Sequence, residues 1–229
     1  LAKQFIVNEI YRTIHGEGVR YGIPHIFVRF SHCNLVCNFC DTEFESGRDL
    51  TGDEIVAECE RLAAVREEQP AATFASSSGY WQMPTGAKAP VDNGPARGPI
   101  RDVLLCGGEP LLQANGELID QFHDAGWKVC CETNGTVPAP DSIDWITCSP
   151  KVAEHAIKLQ RANELKYVRG YGQGIPRPRL AAEHYLISPM FSASHTDKET
   201  LDWCINLVLE NPQWRLTVQH HKLNFGNLR

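Results

Sequence analysis

Three cysteines in the stretch Phe30–Phe44, FSHCNLVCNFCDTEF, constrain this chain more than any other feature. Cys33, Cys37 and Cys40 stand in a C-x3-C-x2-C spacing that lets one short loop wrap a single inorganic centre. Structural zinc sites and ordinary electron-transfer clusters usually take four protein ligands, so three thiolates leave one metal corner available to something else. A 4Fe–4S cluster with one open iron meets that count. A zinc loop would need a fourth ligand, and unrelated core cysteines rarely crowd so closely.

The 229 residues fit one domain, 1–229, with enough length to bury a substantial core. Hydrophobic content of 42% and charged content of 22% are ordinary for a globular chain. A formal charge of −6 disfavours a nucleic-acid-binding surface. No apolar run approaches the ~18 residues of a membrane span, so no membrane association is expected. Without a basic, signal-like opening, a cytoplasmic location is the simplest expectation. In that compartment the nine cysteines read as thiols and metal ligands before disulfides.

Phe5 to Ile14 alternates well enough for a strand and delivers the chain to His15-Gly16-Glu17-Gly18, whose glycine pattern alone reads as a tight turn. His25 to Phe30 is a β-rich run ending just before the cysteine loop. Arg29 inside it must find an anion or expose its head, and a structural ion pair would serve equally well. Thr51 to Glu54 has the form of a capping box, with Ile55, Cys59 and Leu62 on one face of a helix running to about Arg66. From Glu67 to Pro99 the composition turns Pro/Gly/Ser-rich and reads as a long surface insertion, with Tyr80, Trp81 and Met83 its one sticky patch.

Regularity returns with a buried-looking strand, Asp102 to Cys106, before Gly107-Gly108-Glu109-Pro110. A helix follows at Glu117 to Ala125, ended by Gly126. Strands at Trp127 to Glu132 and Asp144 to Cys148 lead into Glu132-Thr133-Asn134-Gly135 and Ser149-Pro150-Lys151. Further strands are expected at 165–168, 184–188 and 214–218, with a helix at 196–209 opened by a Thr196/Glu199 capping box. Alternating strands and helices with polar loops at strand ends imply a parallel α/β sheet, closed or partly closed as a barrel. Cys130 and Cys131 point to opposite faces and cannot easily share a metal, while His220 and His221 read as solvated or structural.

The cysteine spacing, with the aromatic Phe39 before the last cysteine, resembles the signature of the radical S-adenosylmethionine superfamily. In that superfamily the methionine moiety chelates the unique iron and reductive cleavage yields a 5′-deoxyadenosyl radical. The resemblance implies an incomplete TIM-like barrel, smaller than the usual core of that superfamily because the helical layer is short of elements. HGEG, VRF before the first cysteine, CDT at the last, GGEP, ETNG, SPK and a C-terminal HK, in that order, resemble more specifically the 7-carboxy-7-deazaguanine synthase family of the queuosine and deazapurine pathways.

The family's chemistry is a ring-contracting carbon–nitrogen lyase reaction, from 6-carboxy-5,6,7,8-tetrahydropterin to 7-carboxy-7-deazaguanine with loss of ammonia. The resemblance implies a 4Fe–4S cluster on Cys33, Cys37 and Cys40, and Mg²⁺ at Thr42. S-adenosylmethionine would meet Phe39, Cys40, Asp41, Gly108, Glu109, Ser149, Pro150, Lys151 and the late loop Ser188-Pro189-Met190-Phe191. Substrate would meet the backbone of Ile14, His15 and Gly16, the Arg29 side chain, Cys106 and the terminal Arg229. A homodimer and a reducing partner such as flavodoxin or ferredoxin are further implications. The chain departs from the family pattern at His15, where glutamine is common, and at Cys106, where a threonine hydroxyl is expected and a thiol bonds more weakly. Two other readings stand beside this one, an activase acting on a partner protein's glycine and a non-catalytic Fe–S electron carrier. The carrier requires a fourth cysteine ligand.

Overall fold

Alternation along the strands decides what each face of the sheet carries. In the computed structural model, which describes residues 3–37, 40, 42–64, 98–191 and 197–220, β2 (Pro24–Phe30) buries Ile26, Val28 and Phe30 on one side and turns Phe27 and Arg29 to the other. β4 (Asp102–Gly107) does the same with Val103 and Leu105 against Leu104 and Cys106. The apolar faces meet α1 (Gly52–Ala63) and α2 (Gly116–Asp124) through Ile55, Cys59, Leu118, Ile119 and Phe122, all fully buried. Each such large side chain contributes roughly 1.5–3 kcal/mol of burial. The opposite, concave face is left for polar residues.

Nine strands form one open sheet in the order β3-β1-β2-β4-β5-β6-β7-β8-β9. β1 (Gln4–Ile14) runs antiparallel to both β2 and β3 (Arg48–Thr51). From β2 onward every pairing is parallel, through β5 (Lys128–Thr133), β6 (Trp145–Cys148), β7 (Ala162–Arg169), β8 (Ala182–Pro189) and β9 (Arg215–Leu216). The sheet does not close, which makes it a partial barrel. Among the described residues α-helices cover only the connections before β4, before β5 and, with α3 (Lys198–Glu210), before β9. No helix is long and apolar enough to cross a membrane.

Local chemistry sets the boundaries. The Thr51 capping box forms as expected, its hydroxyl accepting from the Glu54 N–H while Glu54 reaches back to the Thr51 N–H. The helix stops at Ala63 rather than near Arg66, because Ala64 has extended geometry (φ −54°, ψ 133°). α3 opens on Asp197 instead of a Thr196/Glu199 box. Its carboxylate accepts from the Thr200 N–H at 2.7 Å and hydroxyl at 2.8 Å, and a carboxylate suits the positive end of a helix. β3 was not foreseen, since RDLT has no alternation long enough to announce a strand. Phe39, Asp41, Thr196, Arg229, the C-terminal HK and residues 67–97 of the insertion, including its aromatic patch, lie outside the described residues.

At the far end of the concave face His25 is buried, its Nδ1 donating to the Ile23 carbonyl at 2.9 Å and its Nε2 accepting from Arg20 at 3.3 Å. Burial, opposed by the Ile23 bond, pushes its pKa down to about 4. Above pH 6.5 neither folded nor unfolded chain holds that proton. As pH falls from 6.5 to 4 the unfolded chain takes up a proton the folded one refuses, so unfolding is favoured. Denaturant titrations should show a loss on the order of 3 kcal/mol across this window, and His25→Gln should flatten it. A wild-type profile with no loss there would contradict the packing described.

Candidate active site

The cysteine loop is seated by two glycines. Gly107, at φ +135°, and Gly108 lie directly against the backbone of Phe30 and His32, so that a Cβ on either would overlap a carbonyl oxygen. The Gly108 N–H donates to the Phe30 carbonyl at 3.2 Å and the Glu109 N–H to the His32 carbonyl at 2.9 Å. His32 adopts φ 69°, a turn into the loop that few non-glycine residues make. The loop is then tied sideways. Asn34 donates to the Thr136 hydroxyl at 2.8 Å and accepts from Asn134 Nδ2 at 3.1 Å. Cys33 and Cys37 are half-buried and Cys40 is exposed, all as free thiols.

These thiols line a cavity of about 300 Å³ at the carboxyl edge of the sheet. Of the residues marked in the sequence, it also collects Ile14, Gly16, Arg29, Thr42, Cys106, Gly108, Ser149 and Lys151, and it gathers Ser188 to Phe191 at the end of β8. His15, Glu109 and Pro150 are not in its lining. Glu109 is fully buried and turned into the fold. Its oxygens accept from the Leu111 N–H (3.1 Å), the Thr133 hydroxyl (2.8 Å) and the Asn134 N–H (2.7 Å). Burial raises its pKa, against the pull of those bonds, and the carboxylate pins the loop after β4 to the loop after β5.

Arg29 stands opposite Cys106 in the β2–β4 register. Its Nη2 donates to the Tyr11 hydroxyl at 2.9 Å, and its Nε is buried with no hydrogen-bond partner. No carboxylate lies within ion-pair distance of it among the described residues. Burial pushes the Cys106 thiol up to about 12 and the Tyr11 hydroxyl to about 12, so both keep their protons beside the guanidinium.

The same cavity holds a charge network the sequence motifs marked only in part. Lys166, on β7, donates to Glu17 Oε1 at 2.7 Å and to Glu132 Oε1 at 3.3 Å, and His15 Nε2 lies 3.1 Å from the same Glu132 oxygen. Burial opposes ionisation of Glu132, but Lys166 and His15 outweigh it and hold the carboxyl well below its ordinary value. Lys151 donates to the Ser149 hydroxyl at 2.6 Å, and burial, with Lys166 nearby, lowers its pKa to about 8. Lys166, the Glu132 carboxylate, Tyr11 and Phe27 were not singled out from sequence. Lys166 does carry a usable signal, a charged residue between the apolar Leu165 and Tyr167 of a strand, as Arg29 is between Val28 and Phe30.

A second group of ligand-type atoms, on His25, Asp102 and Cys130, lies within 4.8 Å at the other end of the concave face. Arg20 already pairs there with Asp102 and donates to His25, so the cationic position is filled by a guanidinium.

Three soft thiols on one loop fit an iron–sulfur cluster with an open iron. Of the cysteines that line the cavity, Cys33, Cys37 and Cys40 stand on the loop and Cys106 on β4, opposite Arg29. An open, mostly parallel sheet with such a loop at its carboxyl edge is the architecture of a radical S-adenosylmethionine enzyme. No family model matches the chain. It is 39% identical to the 7-carboxy-7-deazaguanine synthase of Bacteroides thetaiotaomicron over 220 residues, covering 95% of this chain and 96% of that protein. It is 35% identical to the protein of that name from Bradyrhizobium diazoefficiens over 235 residues, covering 95% and 97%. The crystal structure of QueE from Escherichia coli superposes with a TM-score of 0.63 at 22% identity, covering 94% of each chain, and supports the fold. The chain belongs to the 7-carboxy-7-deazaguanine synthase family. That membership favours neither the activase nor the electron-carrier reading.

If the glycine seat positions the loop, Gly108→Ala should at least halve the iron and sulfide bound after anaerobic reconstitution. Gly116→Ala, where a Cβ meets nothing within 4 Å, should leave both unchanged. Full loading of Gly108→Ala would show that the loop does not depend on this contact.

Proposed function

We propose that this chain converts 6-carboxy-5,6,7,8-tetrahydropterin to 7-carboxy-7-deazaguanine with release of ammonia. The observation that carries the reading is Arg29, a half-buried guanidinium whose Nε is buried without a hydrogen-bond partner, in the wall of the same cavity that the three loop thiols enter. A guanidinium N–H buried without an acceptor is costly, and a carboxylate ligand offers it a charge-assisted, planar partner. The relatives' name fits that demand, since their product carries a carboxylate.

Cys33, Cys37 and Cys40 would hold a 4Fe–4S cluster, which together with S-adenosylmethionine supplies one-electron cleavage of a sulfonium and hence hydrogen-atom abstraction. Around the cofactor, Gly108 offers backbone without obstruction, while Glu109 acts by fixing that backbone through its three bonds. Ser149, Lys151 and the segment Ser188 to Phe191 would form the other cofactor wall, with Pro150 shaping the turn between the first two; Phe39, Cys40 and Asp41 would meet the cofactor from the cysteine loop. Thr42 would lend its hydroxyl to a Mg²⁺, an ion that keeps much of its hydration and needs few protein ligands.

On the substrate side Arg29 orients the carboxylate. Cys106 lies beside it as a neutral thiol. Phe27 and Val168 are apolar wall from which water is displaced, and Ile14 and Gly16 present backbone to the ring, while His15 between them turns its imidazole to Glu132. Arg229 would meet the substrate, as the resemblance implies. One radical S-adenosylmethionine domain, 1–229, with an insertion at about 67–99, a homodimeric assembly, a cytoplasmic setting and a flavodoxin- or ferredoxin-type reductant complete the reading.

The test is anaerobic turnover. Reconstituted protein with dithionite, S-adenosylmethionine, Mg²⁺ and the carboxytetrahydropterin should form 7-carboxy-7-deazaguanine, detected by mass, with ammonia in equal amount. Cys33→Ala, Cys37→Ala and Cys40→Ala should each lose the cluster and all product, whereas Cys59→Ala, at a buried helix position, should retain both. A fully loaded wild type that cleaves the cofactor but leaves the pterin intact would overturn the substrate assignment.

A further inference from the structure

Among the described residues the Arg29 side chain hydrogen-bonds to one group, the Tyr11 hydroxyl, which accepts from Nη2 at 2.9 Å. The guanidinium also lies over the Tyr11 ring, 5.7 Å from its centroid. Tyr11 is itself held, since it stands opposite Phe27 in the β1–β2 register with the two ring centroids 5.3 Å apart. All three side chains line the cavity. The residue directly opposite Arg29 on β1 is Glu9, yet no ion pair forms between them. Instead the arginine reaches the diagonal neighbour two residues further along β1, a phenol.

We propose that Tyr11 is a positioning residue for anion recognition: its hydroxyl takes Nη2 and fixes the plane of the guanidinium, which leaves the Nε–H uncommitted for the ligand's carboxylate. The inference rests on the pterin reading and deepens it. A carboxylate in the place of the phenol would fix that plane as well, but it would cancel the charge the ligand needs. A neutral acceptor holds the arginine without doing so. Burial keeps the Tyr11 hydroxyl protonated, and the Cys106 thiol on the other flank of Arg29 is protonated too, so both neighbours are uncharged. An arginine with free torsions loses that freedom when it grips a ligand, and holding it beforehand removes this cost from binding.

The role is separable from packing, because Tyr11→Phe deletes one oxygen and keeps a ring against Phe27. If the oxygen acts through Arg29, its loss is felt only by ligands that Arg29 reads, and only while Arg29 is present.

The experiment uses wild type, Tyr11→Phe, Arg29→Met and the double variant, each loaded with cluster and S-adenosylmethionine, with iron and sulfide measured to show equal loading. Dissociation constants of 6-carboxypterin and of pterin lacking the carboxylate are read by fluorescence quenching. Tyr11→Phe should weaken 6-carboxypterin by at least about threefold and leave pterin within about twofold of wild type. In the Arg29→Met background the same substitution should move neither ligand by more than about twofold. In turnover Tyr11→Phe should raise KM more than it lowers kcat. A smaller loss for 6-carboxypterin, an equal loss for both ligands, or a loss that persists without Arg29 would overturn the proposal. Wild type that shows no preference for 6-carboxypterin over pterin would instead overturn the carboxylate reading beneath it.

Discussion

The close contact between the Gly107-Gly108 backbone and the backbone of Phe30 to His32 is the constraint on which the site depends. It exists because two parallel strands, β2 and β4, end at the same level, with Phe30 opposite Gly107. Chain leaving β2 must cross immediately above β4, and only residues without a Cβ leave room for it. The crossing aims the next residues over the cavity, so the first thiol stands three residues after the end of an apolar strand. GGEP therefore has a structural necessity before any ligand is considered. Its glutamate belongs to the same construction, since Glu109 locks this loop to the one that follows β5.

The concave face shows why polar residues inside a sheet need not be a fault. Arg29, Cys106, Glu132 and Lys166 each occupy the inward position of a different strand, while their neighbours in sequence build the apolar core. Charges so placed lose hydration and regain it only through partners. At the lower end Arg20, Asp102 and His25 satisfy one another, closing the bottom of the open sheet. At the upper end the account is incomplete, with Arg29 Nε and Glu17 Oε2 both buried and unpartnered. Both residues line the cavity.

Much of this was legible in the sequence. Strands and helices announced by clean alternation or caps came where expected, and the thiol loop and Arg29 were readable from spacing and from one charge in an apolar run. What was not legible depended on the third dimension. The direction of the Glu109 side chain follows from where the β5 loop comes to rest, which no local pattern encodes. Lys166 carried the same signal as Arg29 but belongs to no recognisable motif, and its importance comes from Glu17 and Glu132, 149 and 34 positions away. β3 is too short and polar to register as a strand, and the N-cap of α3 was assigned one residue early because threonine and aspartate compete for that role.

The central claim is that Arg29 and the ligand's carboxylate recognise each other, and a binding cycle tests it most directly. Affinities of 6-carboxypterin and of pterin lacking the carboxylate would be measured for wild type and Arg29→Met, both loaded with cluster and S-adenosylmethionine. The account predicts that wild type prefers the carboxylated ligand by at least about tenfold and that Arg29→Met binds the two alike, a coupling of on the order of 2 kcal/mol or more. Equal preference in both proteins would show that the carboxylate is held elsewhere and would contradict the account.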